Sequence, residues 1–103
     1  MSEAQYEAAS ELLRVLSAPI RLAIITRLGR GPATVSTLTV ELGHSQPLVS
    51  QHLRILRSAR LVHAVYEGRE RVYQLVDEHV AHIAADAIRH VVEPAAAPEA
   101  VAE

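Results

Sequence analysis

Ser45-Gln46-Pro47-Leu48-Val49-Ser50-Gln51-His52-Leu53-Arg54-Ile55-Leu56-Arg57-Ser58 is the stretch that decides the fold. Ser45 suits a helix N-cap, and Pro47 is tolerated within a first helical turn. Val49, Leu53 and Leu56 recur at helical spacing and form one apolar face. Gln46, Ser50, Gln51, Arg54 and Arg57 are left pointing outward. Just upstream, a short helix is expected from Val35 to Leu42, with Thr34 as its N-cap and Gly43 as its stop. A short helix, a tight turn through Gly43-His44 and a second helix with a polar outer face make a helix-turn-helix.

Outward from this pair, Leu61 to Tyr66 and Arg71 to Val76 are rich in β-branched and aromatic residues and read as strands. Glu67-Gly68-Arg69-Glu70 is the hairpin between them, and a hairpin in this position is a wing. Toward the N-terminus, residues 4–17 form an amphipathic helix with Leu12, Leu13 and Leu16 as its stripe. Ser17 and Pro19 break it. A second helix runs from Pro19 to Leu28, with Ile20, Ala23, Ile24 and Leu28 on one side, until Gly29-Arg30-Gly31-Pro32 ends it. A last helix spans Asp77 to Glu93. The expected fold is mainly α (α+β): a winged helix-turn-helix of five helices and a two-stranded wing, one domain over residues 1–93. Residues 94–103 have no amphipathic period and are predicted to be a disordered tail.

The 103 residues are half apolar, with Tyr6, Tyr66 and Tyr73 as the only aromatics and no Phe or Trp. An all-aliphatic domain of this size gains from dimerisation. Cysteine is absent, which excludes disulfides and thiolate metal sites. No apolar run approaches the roughly eighteen residues of a membrane span, and Glu3 and Glu7 interrupt any signal-peptide pattern. A cytoplasmic protein without a membrane partner is expected. The net charge of −2 hides an uneven distribution. From Arg21 to Arg71 there are eight arginines against three acids, and the two ends carry two arginines against nine acids. A basic middle on an acidic body is the footprint of a phosphate-binding face.

The last helix carries Asp77-x-His79 at its start and His90-x-x-Glu93 at its end, four side chains of metal-binding type. At ~100° per residue, His79 and His90 return to within roughly 20° of one face, and Glu93 follows one turn later. Asp77, at the N-cap, can swing to the same side. The two halves lie roughly 16 Å apart along the axis, whereas metal–ligand bonds are only ~2 Å. One helix cannot close the site; two antiparallel copies can. A homodimer with two symmetry-related sites follows, its axis passing near Ala84 and Ala85. His82 lies some 60° off the stripe and is set aside. Asp86 is taken as a solvated or supporting group.

On the outward face of the recognition helix, Gln46, Ser50 and Gln51 suit base edges. Arg54 and Arg57 suit phosphates, and Arg69 at the wing tip suits a minor groove or a phosphate. Arg71 joins the set from its strand, and His52 is read either as a DNA contact or as half-buried packing. His44 and His63 are given structural or surface roles. Double-stranded operator DNA is the expected partner.

This order of elements resembles the ArsR/SmtB family of dimeric winged-helix repressors. The resemblance is carried by Leu16-Ser17-Ala18-Pro19-Ile20-Arg21-Leu22, by Ser45 to Leu56 and by Gly68-Arg69-Glu70-Arg71-Val72-Tyr73. Asp77-x-His79 and His90-x-x-Glu93 match the subgroup that binds zinc between its C-terminal helices. The resemblance implies a metal-free dimer that blocks transcription at an operator and leaves it when metal binds. It also implies a relay from His90 to the backbone near Arg60, with Gln46 nearby. The cysteine sites of arsenic, cadmium and lead sensors are absent. Met1-Ser2-Glu3-Ala4 offers no N-terminal histidine of the nickel and cobalt sensors, so Zn2+ is favoured, with Co2+ as the alternative. Two other readings stay open: a winged-helix regulator without metal control, and a zinc hydrolase or buffer. Four protein ligands would leave no open position for water, which counts against hydrolysis, and no enzyme is expected.

Overall fold

The computed structural model describes residues 1–94. The elements are α1 (Glu3–Leu16), α2 (Pro19–Leu28), β1 (Ala33–Thr34), α3 (Val35–Leu42), α4 (Gln46–Ser58), β2 (Val62–Glu67), β3 (Glu70–Leu75) and α5 (Glu78–Val92). The predicted tail, beyond Pro94, lies outside the described residues.

The helix-turn-helix forms as its capping residues dictate. The Thr34 hydroxyl accepts from the Thr37 N–H at 3.1 Å, and Gly43 closes α3 at φ 72°, a left-handed conformation that glycine adopts without steric cost. The Ser45 hydroxyl accepts from the Leu48 N–H at 3.3 Å to open α4. Val49, Leu53 and Leu56 are then fully buried.

α2 departs from the single stripe expected of it. Ile24 and Ile25 are both fully buried, while Ile20 and Ala23 are only half-buried. The helix runs through the centre, touching α1, α3, α4, α5 and β3, so burial follows its neighbours on several sides. Truncating this core is costly. Leu53→Ala is expected to lower stability by about 2–5 kcal/mol, measured as the shift in urea midpoint at unchanged slope.

The sheet has three strands, not two, in the order β1-β3-β2, all antiparallel. Ala33 pairs with Tyr73 and Thr34 with Val72. A two-residue strand has no alternation to read, and Thr34 also serves as the cap of α3. The hairpin is two residues tighter than expected, one from each strand. Glu67 pairs with Glu70 across a two-residue turn, and Gly68 takes φ 64° at the first central position, as a type II′ turn requires.

On α1, the Ser2–Gln5 capping box is complete, yet residues 1–11 are all exposed. Only Val15 and Leu16 are buried, Leu12 is half-buried, and Leu13, placed in the stripe from sequence, is 55% exposed.

Candidate metal centre and nucleic-acid interface

α5 lays Val80 and Ala84 into the core and turns the opposite face outward. On that face His79, His82, Asp86 and His90 are exposed. Ala84 is 0% exposed within the protomer, so it cannot line a two-fold axis, in contrast to the expectation; Ala85 alone of the pair is exposed. The small side chain serves the packing of α5 against its own core. Midway along the stripe stands Asp86, whose carboxylate is ion-paired with Arg89 of its own helix. His82 lines a depression with Arg30 and Glu78, off the stripe.

Asp77 is the N-cap, its Oδ1 accepting from the N–H groups of His79 at 2.9 Å and Val80 at 3.3 Å. That anchor leaves its carboxylate beside the imidazole: Oδ1 lies 3.5 Å from His79 Nδ1. Two donors each ~2 Å from one ion at a tetrahedral angle stand roughly 3.3 Å apart. The 3.5 Å separation of the pair is close to that spacing. At the other end, Glu93 is not on the helical face. It is the C-cap, at φ −79° and ψ 139°, because the proline that follows disfavours helical geometry in the residue before it. Asp77 and Glu93 therefore flank the helix symmetrically, each in extended backbone, with the two histidines inside. Among the described residues no three His, Asp or Glu side chains come together within the protomer.

The second candidate surface lies between α4 and the wing. Gln46, Gln51, Arg54 and Arg57 are exposed and Ser50 is half-buried. A cleft of about 360 Å³ is lined by Val35, Ser50, Arg54, Arg57, Arg71 and Tyr73. Arg71 donates to the Tyr66 hydroxyl at 3.0 Å and the Tyr73 hydroxyl at 3.4 Å, and its guanidinium stands 5.5 Å from the Tyr66 ring centre. The Tyr73 and Tyr66 hydroxyls that accept from it raise the Arg71 pKa further, and the bond from Arg71 lowers that of Tyr66. Among the described residues Arg54, Arg57 and Arg71 have no carboxylate within salt-bridge distance. Arg69 is exposed in the turn. Tyr66 and Tyr73 are absent from the sequence-derived site. The signal was the i, i+2 spacing of Arg71 and Tyr73 on one face, with Tyr66 directly across the hairpin.

His52 is half-buried on the flank of α4, with Nδ1 3.1 Å from Arg21 Nη1. Burial first, then the charges of Arg21 and His44, push its imidazole below the usual pKa. Arg60, where the implied relay would arrive, holds the positive φ of 64° at the exit of α4 and donates its N–H to the Arg57 carbonyl at 3.0 Å. Among the described residues no hydrogen bond joins His90 to Arg60 or Gln46 within one protomer.

Comparison with known proteins places this arrangement. Residues 18–64 match the family described as "Bacterial regulatory protein, arsR family". The transcriptional repressor SmtB of Mycobacterium tuberculosis is 48% identical over 89 residues, 86% of this chain. The chain spans 66% of that relative's length. The transcriptional regulator NmtR of the same organism is 43% identical over 86% of this chain and 73% of its own. Among solved structures, HlyU of Vibrio cholerae superposes with a TM-score of 0.78 at 27% identity, covering 88% of this chain and 98% of its own. AntR, an antimony-specific transcriptional repressor, gives 0.80 at 26%, covering 89% and 84%. SmtB, NmtR and AntR are regulators of transcription.

Proposed function

This chain belongs to the arsR family of bacterial regulatory proteins, and from that premise we propose that it is a zinc-responsive transcriptional repressor acting as a homodimer. The observation that carries the reading is the α5 stripe: a carboxylate–imidazole pair 3.5 Å apart at one end, His90 and Glu93 at the other, all facing away from the core. Asp77 and His79 of one protomer would hold the ion together with the partner's His90 and the partner's Glu93. The donor set of two imidazoles and two carboxylates suits zinc, with cobalt as the alternative. The ion's own contribution is a fixed link between two helices. Both histidines must be neutral to ligate, so affinity falls as the pH is lowered.

Support for the dimer comes from surfaces that one protomer leaves uncovered. Helices of ~12–15 residues are marginal in water unless an apolar face is packed, and among the described residues the part of α1 from Glu3 to Glu11 is exposed throughout. Tyr6 and Leu13 on α1, with Val91 and Val92 on α5, are each more than half exposed. An apolar groove whose rim includes Leu13, Leu22, Ile83 and Ala87 lies where α1 and α2 meet α5. Uncovered apolar surface of this kind marks an interface.

The DNA face would be α4 with the wing. Gln46, Ser50 and Gln51 would meet base edges, and Arg54, Arg57, Arg69 and Arg71 the phosphate walls. Two recognition helices must stand about 34 Å apart to enter successive major grooves, and the metal-bound dimer is proposed to miss that spacing. The second ring nitrogen of His90 would pass the change to the backbone at Arg60, next to α4, with Gln46 beyond it. A winged-helix regulator without metal control has one observation in its favour, since Oδ1 of Asp77 already serves as the cap of α5.

The two readings separate in one titration. The metal-free protein is first used to select a duplex from a random library, and zinc is then added while DNA anisotropy is followed. Saturation near two zinc ions per dimer with release of the duplex is expected. Retention of the duplex at saturating zinc would favour the metal-independent regulator.

A further inference from the structure

Among the described residues, the Arg21 side chain on α2 makes two hydrogen-bonding contacts, and neither is with an acid. Its Nε donates to the Val15 carbonyl at 2.5 Å, one of the carbonyls at the end of α1 that have no helical partner. Its Nη1 lies 3.1 Å from His52 Nδ1. A guanidinium has only donors, so Nδ1 of His52 must be the acceptor, and the ring proton must sit on Nε2. Burial first, then the charge of Arg21, disfavours a second proton on this ring. His52 is thereby a neutral ring with its one N–H on the side away from Arg21.

Its position on α4 gives that N–H a use. At ~100° per residue, the buried residues Val49, Leu53 and Leu56 face one direction, with His52 about 65° to one side of it. Ser50, Arg54 and Arg57, which line the arginine cleft, lie on the opposite flank, and Gln51 points outward between. A helix seated in a major groove presents its outward centre to bases and its two flanks to the two phosphate walls.

We propose that Arg21 is a positioning residue that fixes His52 as the Nε2–H tautomer, donating to a DNA phosphate on the flank of α4 opposite the arginine cleft, and ties that contact to the end of α1. The proposal rests on the DNA-binding reading above. Arg21 itself stays on the protein side, spent on Val15 and His52.

Two measurements test it. Ring 15N NMR of the full-length wild-type protein is expected to show His52 Nδ1 unprotonated and Nε2 protonated; the opposite tautomer overturns the inference without any DNA present. Binding to the duplex selected by the metal-free protein is then compared for Arg21→Ala, His52→Ala and the double variant, with Arg21→Lys in reserve should the alanine variant not fold. His52→Ala is expected to weaken binding about tenfold and the double variant no further. Neither single variant should change the slope of affinity against salt, because a neutral donor displaces no counterion and Arg21 touches no phosphate. Additive losses, or a shallower slope for the Arg21 variant, would show Arg21 acting on its own and overturn the positioning role. Should no duplex be enriched at all, the DNA-binding reading falls; should one be enriched and bind all variants equally, only this inference does.

Discussion

On the zinc-repressor reading, His79→Ala dimers are expected to hold their DNA at zinc concentrations expected to release the wild-type protein. The side chain removed is 88% exposed on the face of α5 that points away from the core, so neither packing nor α4 is disturbed. Metal-free affinity for the selected duplex is expected to stay within twofold of wild type. Zinc affinity, measured by competition with a chromophoric chelator, should fall more than a hundredfold, since even outer groups around a metal site cost 10–100-fold when lost. The regulatory effect is larger still. Moving a two-state equilibrium from one side to the other takes of order 5 kcal/mol of differential binding, and reciprocity makes the loss visible from both sides. In the wild type, DNA should weaken zinc binding by the factor by which zinc weakens DNA binding. In the variant both factors should approach one. A variant that still leaves its DNA on zinc addition would place the sensing site elsewhere. Asp77→Ala is a poorer choice, because it also removes the cap of α5, worth ~1 kcal/mol.

What could be read from sequence was what local chemistry determines. Val49, Leu53 and Leu56 announced the recognition helix because α4 is buried on one face only, and Thr34, Gly43 and Ser45 marked its turn because capping is a matter of one side chain and one N–H. Features set by distant neighbours were less legible. Ile25 is buried because α2 is surrounded, and β1 exists because Ala33 meets Tyr73 forty residues away in sequence. Ala84 looked available for a dimer axis because helical spacing gives faces but not the direction of the core. Helical spacing puts Glu93 on the ligand face, although the proline after it carries the contrary signal. The Asp77–His79 pair was legible as a ligand pair, but its 3.5 Å separation depends on the cap geometry. The Arg71–Tyr66–Tyr73 cluster needed the hairpin register, which a shift of one residue would have scattered over both faces of the sheet.

That register leads to the second large effect. Replacing Arg54, Arg57 and Arg71 together with alanine should abolish DNA binding at physiological salt while leaving the fold and zinc affinity intact. The chain as a whole is acidic, with a net charge of −2, so long-range attraction to DNA is weak and phosphate binding must come from local concentration of charge. The cleft supplies three guanidiniums that, among the described residues, have no carboxylate within salt-bridge distance, one of them held in place by two tyrosine hydroxyls. Each phosphate neutralised contributes about 0.9 to the slope of log affinity against log salt. Three per protomer, counted over a dimer, would account for a slope of roughly 5, which corresponds to a loss of at least a thousandfold in affinity between 50 and 200 mM salt. Single variants should each lower the slope by about 2 per dimer, and Tyr73→Phe should weaken binding without altering the slope, since it loosens Arg71 but removes no charge. If the triple variant kept the wild-type slope, the phosphates would be met by other arginines, and the cleft between α4 and the wing would not be where the duplex lies.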